Sequence, residues 1–197
     1  MRIARKPPAV DNEEIITATR TWLERAVIGL NLCPFAKAVH VKSQIRYAVS
    51  AAQTPEDLLA DLITELRTLQ AADASEIDTT LLVHPRVLGD FLDYNDFLES
   101  ADAAVAGEGL EGEIQVASFH PDYQFAGTRP EDIENCSNRS PYPMLHLLRE
   151  EGLARAIAGY ARPDKIPERN IRTMEKLGAT RMREILDECM RIEEGGK

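Results

Sequence analysis

Long hydrophobic runs are missing from this sequence, and its cysteines are few: Cys33, Cys136 and Cys189. No stretch approaches the roughly 18 apolar residues that a membrane-spanning helix requires, so we expect no membrane segment. Residues 1–14 carry basic side chains but no apolar core, so they do not resemble a secretory signal. Scattered cysteines are typical of a protein without a disulfide framework. A reducing cytoplasm is therefore the predicted location.

Positive charge is also scarce, because 23 Lys and Arg face 33 Asp and Glu, for a formal net charge of −10. A nucleic-acid-binding protein needs a basic surface that displaces counterions, so we predict no nucleic-acid partner. An anionic membrane surface is excluded for the same reason. A small anionic metabolite is still an acceptable ligand, since one pocket can be positive on an acidic protein. The oligomeric state is left open.

The common catalytic motifs are absent as well. The sequence contains no G-x-G-x-x-G, G-x-x-x-x-G-K-[ST], H-E-x-x-H or G-x-S-x-G. Nucleotide-binding, metalloprotease and serine-hydrolase functions therefore have no motif to support them. Neither a cofactor nor a metal is specified.

What the chain does contain is an alternation of helical and strand patterns. Strands are predicted near residues 45–50, 79–83 and 114–119, and helices begin at Thr54-Pro55, Asp90 and Ser140-Pro141. This order predicts an α/β fold with a small, mainly parallel sheet flanked by helices and a C-terminal helical segment. A ferredoxin-like α+β fold is the alternative. A fourth strand is expected near Val39–Val41 or in the long loop after the third strand.

The predicted boundaries follow from the same pattern. Residues 11–192 form a single α/β domain, within which 163–192 are C-terminal helices hinged at Gly178. Residues 1–10 are expected to be a flexible arm and residues 193–197 a flexible tail.

Two predicted strands end in the same dipeptide, His84-Pro85 and His120-Pro121. If these strands are parallel neighbours, both histidines leave the sheet at its carboxyl edge, where open α/β sheets bind ligands. They would serve as general acid and base, or as metal ligands with Asp122 as a third. The structural alternative is that each His-Pro pair simply ends a strand.

The loop after the third strand is long and rich in polar groups, which is typical of a functional loop. Its candidate substrate-binding residues are Asn135, Asn138, Arg139, Ser140 and Tyr123, with Arg139 as an anion clamp beside a helix start. Cys136 is a candidate nucleophile or ligand, and Cys33 a candidate substrate contact. Ordinary capping and satisfaction of loop backbone groups is the alternative explanation. His146 is predicted to lie on a helix, partly exposed.

Three segments resemble a bacterial family of domains of unknown function: 29–36 (GLNLCPFA), 120–125 (HPDYQF) and 135–143 (NCSNRSPYP). The resemblance covers roughly residues 13–190 and implies no particular activity. From the residues themselves we expect an enzyme that acts on a small anionic metabolite, with catalytic residues His120, His84, Asp122 and Cys136. The alternative is a non-catalytic binding or adaptor protein whose acidic surface meets a basic partner, so the sequence leaves catalysis open.

Overall fold

The structure, a computed structural model, describes residues 11–191. The predicted arm (1–10) and the predicted tail (193–197) both lie outside this range. The helices are α1 (Asn12–Trp22), which continues as a π-helical segment (Leu23–Ile28), α2 (Ala36–Val41), α3 (Pro55–Ala71), α4 (Phe91–Gly107), α5 (Glu150–Ala158) and α6 (Ile166–Met190). The strands are β1 (Ile45–Val49), β2 (Thr79–Val83), β3 (Ile114–Phe119) and β4 (Met144–Arg149).

The sheet has the order β1-β2-β4-β3. Strands β1 and β2 are parallel, and β4 is inserted antiparallel between β2 and β3. The predicted α/β class is confirmed, with a mixed sheet in which three strands run the same way and β4 runs against them. The three predicted strands lie where the pattern placed them.

The helix predicted to begin at Ser140 is wrong, because residues 144–149 form β4, a central strand. The fourth strand is therefore not at Val39–Val41, which belongs to α2. A central strand with both faces covered shows a continuous apolar run instead of an alternation. Such a run cannot be distinguished from a short buried helix by periodicity.

Each face of the sheet carries its own core. Helices α3 and α4 cover one face, where Leu82, Leu145 and Leu147 are almost fully buried. Helix α1, its π-helical extension and α6 cover the other face, where Leu81, Val83, Met144 and Ile185 pack with the Trp22 ring. Side chains alternate between the two faces along each strand, so β4 contributes Met144, His146 and Leu148 to the second face.

The C-terminal helix α6 is interrupted at Gly178, whose φ of 79° is left-handed. Its first half lies against the long loop, and Met174 there is fully buried. None of the helices within residues 11–191 has the length and apolar character to cross a membrane.

Tyr94 of α4 joins the helix layer to two strands through its hydroxyl group. The hydroxyl donates to the Met144 carbonyl oxygen (2.9 Å) and accepts from the Phe119 amide (3.0 Å). The side chain is fully buried. One phenol therefore satisfies backbone groups on both β3 and β4 at the edge where the long loop begins and ends.

Tyr94→Phe should destabilise the fold by about 2 kcal/mol, because it leaves a buried N–H and a buried carbonyl without this partner. Urea unfolding would measure the loss. The matched control is Tyr123→Phe, since the Tyr123 hydroxyl accepts only a long contact (3.4 Å) from Ser118 Oγ. Equal stability losses in both variants would contradict the assigned role.

Candidate functional site

The long loop between β3 and β4 is held together by its own polar side chains. Asn135 is fully buried, and its Oδ1 accepts from the Phe125 amide (2.9 Å) and the Thr128 hydroxyl (2.9 Å). Its Nδ2 donates to the Arg129 carbonyl oxygen (2.7 Å). All three of these hydrogen bonds are made to other residues of the same loop. The Asn135 side chain, which the sequence predicts to bind substrate, therefore holds the loop together.

The side chain of Arg139, the predicted anion clamp, also makes its hydrogen bonds within the loop. The guanidinium of Arg139 donates to the carbonyl oxygens of Pro130 (2.6 Å) and Tyr123 (3.4 Å). The Arg139 carbonyl oxygen accepts from the Trp22 indole (3.0 Å), which anchors the loop to α1. Ser140 donates to the Tyr142 carbonyl oxygen (2.7 Å) and does not cap a helix. The helix N-terminus expected beside Arg139 is absent because β4 follows, so that basis for anion binding is wrong.

His120 is fully buried, and both of its ring nitrogens are engaged by backbone groups. Nδ1 accepts from the Asp122 amide (3.0 Å), so the ring hydrogen is on Nε2, which donates to the Leu88 carbonyl oxygen (3.2 Å). Burial lowers the pKa of His120, which favours the neutral form of the ring. Asp122 contacts it through its backbone amide, and the predicted catalytic role of both residues stays a prediction.

His84 also lies beside Tyr94, so the two His-Pro dipeptides end at the same edge of the sheet. The expectation that their strands are neighbours is wrong, because β4 lies between β2 and β3. The Tyr94 ring centroid is 5.7 Å from that of His84 and 5.1 Å from that of His120. The Nδ1 of His84 donates to the Val87 carbonyl oxygen (3.1 Å), while its buried Nε2 has no partner among the described residues. Burial lowers the pKa of His84 to about 4, so its ring is also neutral at pH 7.

The remaining loop candidates do not form a metal site. Within residues 11–191 no three His, Cys, Asp or Glu side chains are placed to hold a metal ion together. Cys136 packs against Leu32 and the α6 methionines, and burial raises the pKa of its thiol, which disfavours the nucleophilic thiolate. The nearby Arg139 guanidinium opposes this rise in the pKa without overcoming it, and the predicted catalytic role of Cys136 remains a prediction.

A pocket of about 460 Å³ opens on the other face of the sheet, between β4, α2, α5 and the π-helical segment. This sheet-face pocket has mainly apolar walls, and its volume is in the range of small-molecule sites. Its apolar lining includes Trp22, Leu23, Val27, Phe35, Ala36, Val39, Ile45, Leu81, Phe119, Leu148, Leu153 and Ala156. Its polar lining is Cys33, Lys42, Gln44, Ser75, Asp78, Thr79, His146, Arg149 and Arg155.

His146 is the polar group in this pocket that carries a free acceptor nitrogen. Its Nε2 is 2.7 Å from the Thr79 hydroxyl, which itself donates to the Leu147 carbonyl oxygen (2.6 Å). Because that hydroxyl hydrogen is used, Nε2–H must donate to Thr79, and Nδ1 keeps its lone pair. Within the described chain Nδ1 makes no hydrogen bond. Burial lowers the pKa of His146 to about 4, so the lone pair is available at pH 7.

The prediction that His146 lies on a helix is therefore wrong, whereas its side chain is partly exposed, as predicted. The error arises because residues 144–149 were predicted to be helical and instead form β4. A residue on the inner face of a central strand points into the protein. The available signal was a single polar residue inside the run Met144–Leu148. A lone imidazole among core positions requires a partner or a ligand.

Cys33 reaches the pocket through the turn that ends the π-helical segment. At Gly29 a Cβ would lie 2.4 Å from the Arg25 carbonyl oxygen, so only glycine fits this close approach. Asn31 then adopts a left-handed φ of 54°, and the amides of Leu32 and Cys33 both return to the Val27 carbonyl oxygen. The 29–36 segment thus builds a wall of the pocket, consistent with the predicted substrate contact at Cys33.

Comparison with known proteins gives one finding. A family model described as "Protein of unknown function (DUF1415)" matches residues 14–184. No curated protein and no solved structure matches.

Acidification should destabilise the protein between about pH 6.5 and 4. His84 and His146 have pKa values near 4 in the folded chain and 6.5 ordinarily, so in this window the unfolded chain binds more protons. Each contributes stability that is present above pH 6.5 and is lost at up to roughly 1.4 kcal/mol per pH unit as pH falls. Urea unfolding at pH 7, 6 and 5 measures the slope, which should become shallower in His146→Phe. An unchanged slope would contradict the buried neutral state.

Asn135→Ala should loosen the long loop, because it removes the three hydrogen bonds that the side chain makes. We expect a loss of about 2–3 kcal/mol and faster proteolytic cleavage within residues 121–134. Glu131→Ala, on the exposed surface of the same loop, is the control. Retention of parental protease resistance in Asn135→Ala would show that the loop is held by other contacts.

Proposed function

We propose that this chain, which belongs to the DUF1415 family of proteins of unknown function, is an enzyme for a small anionic metabolite that binds in the sheet-face pocket. The observation that carries the proposal is the free Nδ1 of the neutral His146 in that pocket. A nitrogen in this state accepts a hydrogen bond or a proton from a substrate O–H or N–H group.

The charge of the pocket supports an anionic substrate despite the acidic chain. Three cationic side chains line it (Lys42, Arg149 and Arg155) against one carboxylate, Asp78. Lys42 has no ion pair within residues 11–191. Arg155 pairs with Glu151, but both side chains are largely exposed, and such pairs contribute little. An anionic group at the mouth could therefore recruit both cations.

The apolar walls define the rest of the substrate. Trp22, Phe119 and Leu148 belong to different elements, so the body of the substrate would be enclosed from several sides. The Trp22 and Phe119 rings pack edge to face with centroids 5.3 Å apart, which fixes the shape of this wall. The substrate is expected to combine an apolar body, a carboxylate or phosphate, and a proton-bearing group directed at His146.

His146 would act by orienting the reacting group. The bond from Nε2 to Thr79 fixes the tautomer, and burial prevents protonation before the substrate binds. With a pKa near 4 the ring is a weak base, so a proton taken from the substrate would be returned readily. This behaviour suits a transient acceptor in an acid/base step, and Cys33 would contact the substrate nearby.

A second candidate places the chemistry at the carboxyl edge of the sheet, as the sequence predicts, with His84, His120 and Asp122 as catalytic groups. The observation in its favour is the buried His84 Nε2, which lacks a partner among the described residues. None of these residues lines the sheet-face pocket. The sheet-face pocket is therefore the better supported site.

Octanoate and ω-hydroxyoctanoate test the proposal, since each has an apolar body and a carboxylate. We expect the ω-hydroxy form to bind several-fold more tightly, because its hydroxyl can donate to His146 Nδ1. Isothermal titration calorimetry at pH 7 would measure both affinities. The preference should disappear in His146→Phe and persist in His84→Gln.

A matched pair on α5 checks the location independently of His146. Ala156→Trp should fill the pocket and abolish binding of both probes, whereas Ala158→Trp, on the exposed side, should leave binding unchanged. Binding that survives Ala156→Trp would reject this site. Loss of the hydroxyl preference in His84→Gln instead would favour the carboxyl-edge site.

A further inference from the structure

A second pocket, of about 480 Å³, lies between the long loop, the end of β3 and the first half of α6. Its walls are largely apolar and include Phe119, Phe125, Ile171 and Met174. It shares Val27, Cys33 and Phe119 with the sheet-face pocket, and its other polar groups are different. None of its lining residues is basic.

Asn170 of α6 lines this pocket, and its side chain carries a hydrogen-bond acceptor without a partner among the described residues. Its Nδ2 donates to the Leu32 carbonyl oxygen (2.7 Å), so the opposite amide orientation would place two oxygens against each other. The Oδ1 atom of Asn170 therefore points away from the Leu32 carbonyl oxygen. It is buried, with the residue 9% exposed, and it has no hydrogen-bond partner among the described residues. A buried acceptor in this state is costly unless a ligand or water satisfies it.

Glu134 supplies a second acceptor at the same pocket. Its side chain is half-buried, and in residues 11–191 its carboxylate makes neither a hydrogen bond nor an ion pair. The other polar lining groups are already used. Ser137 Oγ donates to the Glu134 carbonyl oxygen (2.9 Å), and Asn138 Nδ2 donates to the Ser118 carbonyl oxygen (3.1 Å). The oxygen acceptors left for an occupant are therefore a carboxylate and an amide oxygen, beside the thiol of Cys33.

We propose that this second pocket binds an organic ammonium ion with an apolar tail. The ammonium group supplies three donors and one positive charge, which match the Glu134 carboxylate and the Asn170 oxygen. The Phe119 and Phe125 rings add surface for the tail and favour a cation through their faces. The net charge of −10 favours the approach of a cation to this surface. The inference is independent of the function proposed for the sheet-face pocket.

The test uses n-hexylammonium chloride as the probe, with n-hexanol and hexanoate as neutral and anionic counterparts of the same length. Calorimetric titration of the whole chain at pH 7 should show binding of hexylammonium at least tenfold tighter than that of hexanol, and no binding of hexanoate in this pocket. Glu134→Gln should weaken hexylammonium binding about tenfold, because it removes the charge but keeps the shape. Glu131→Gln, exposed on the same loop, should leave it unchanged.

A pair of tryptophan variants on α6 locates the binding event. Ile171→Trp should block hexylammonium, and Ala179→Trp, on the exposed surface, should not. Equal affinity for hexanol and hexylammonium, or an equal effect of Glu131→Gln and Glu134→Gln, would overturn the proposal. Competition by octanoate for hexylammonium in the Ala156→Trp variant would also overturn it, since that variant blocks the sheet-face pocket alone.

Discussion

The insertion of β4 between β2 and β3 is the constraint on which the rest of the architecture depends. Met144 pairs with Val83 on one side and Phe119 on the other, so the chain must leave β3 and re-enter at the same edge in the opposite direction. A tight hairpin turn would be enough to join β3 to β4, because the two strands are adjacent and antiparallel. The observed return instead takes residues 120–143, whose backbone groups require partners away from any ladder.

The polar residues of the long loop meet that requirement. Asn135 and Arg139 direct their donors and acceptors to carbonyl oxygens and amides of the loop, and His120 does the same at its entrance. This explains why the segment resembles an active site in sequence: the residues that satisfy an irregular buried backbone are the types that bind substrates. Composition alone cannot separate the two uses, because the difference is in where each hydrogen bond ends.

Sequence patterns predicted the three co-directional strands and the start of α3, where Thr54 accepts from the Asp57 amide as a capping residue should. They also predicted that His84 and His120 lie at the same edge of the sheet, since strand direction and a terminal proline are local properties. The premise that their strands are neighbours was wrong, because β4 separates them. They did not predict β4, because a strand buried on both faces lacks the alternation of apolar and polar residues. For the same reason His146 was predicted to lie on the surface of a helix. The pockets could not be predicted, because each combines side chains from segments distant in sequence.

The two pockets share a wall made by Val27, Cys33 and Phe119. A molecule that moves the Phe119 ring to fit on one side changes the space available on the other. Occupancy of the two cavities is then thermodynamically linked, and the change in affinity is the same in both directions. The Phe119 side chain would set the sign of that coupling. Binding would be cooperative if one ligand positions the ring for the other, and competitive if both ligands need the same volume.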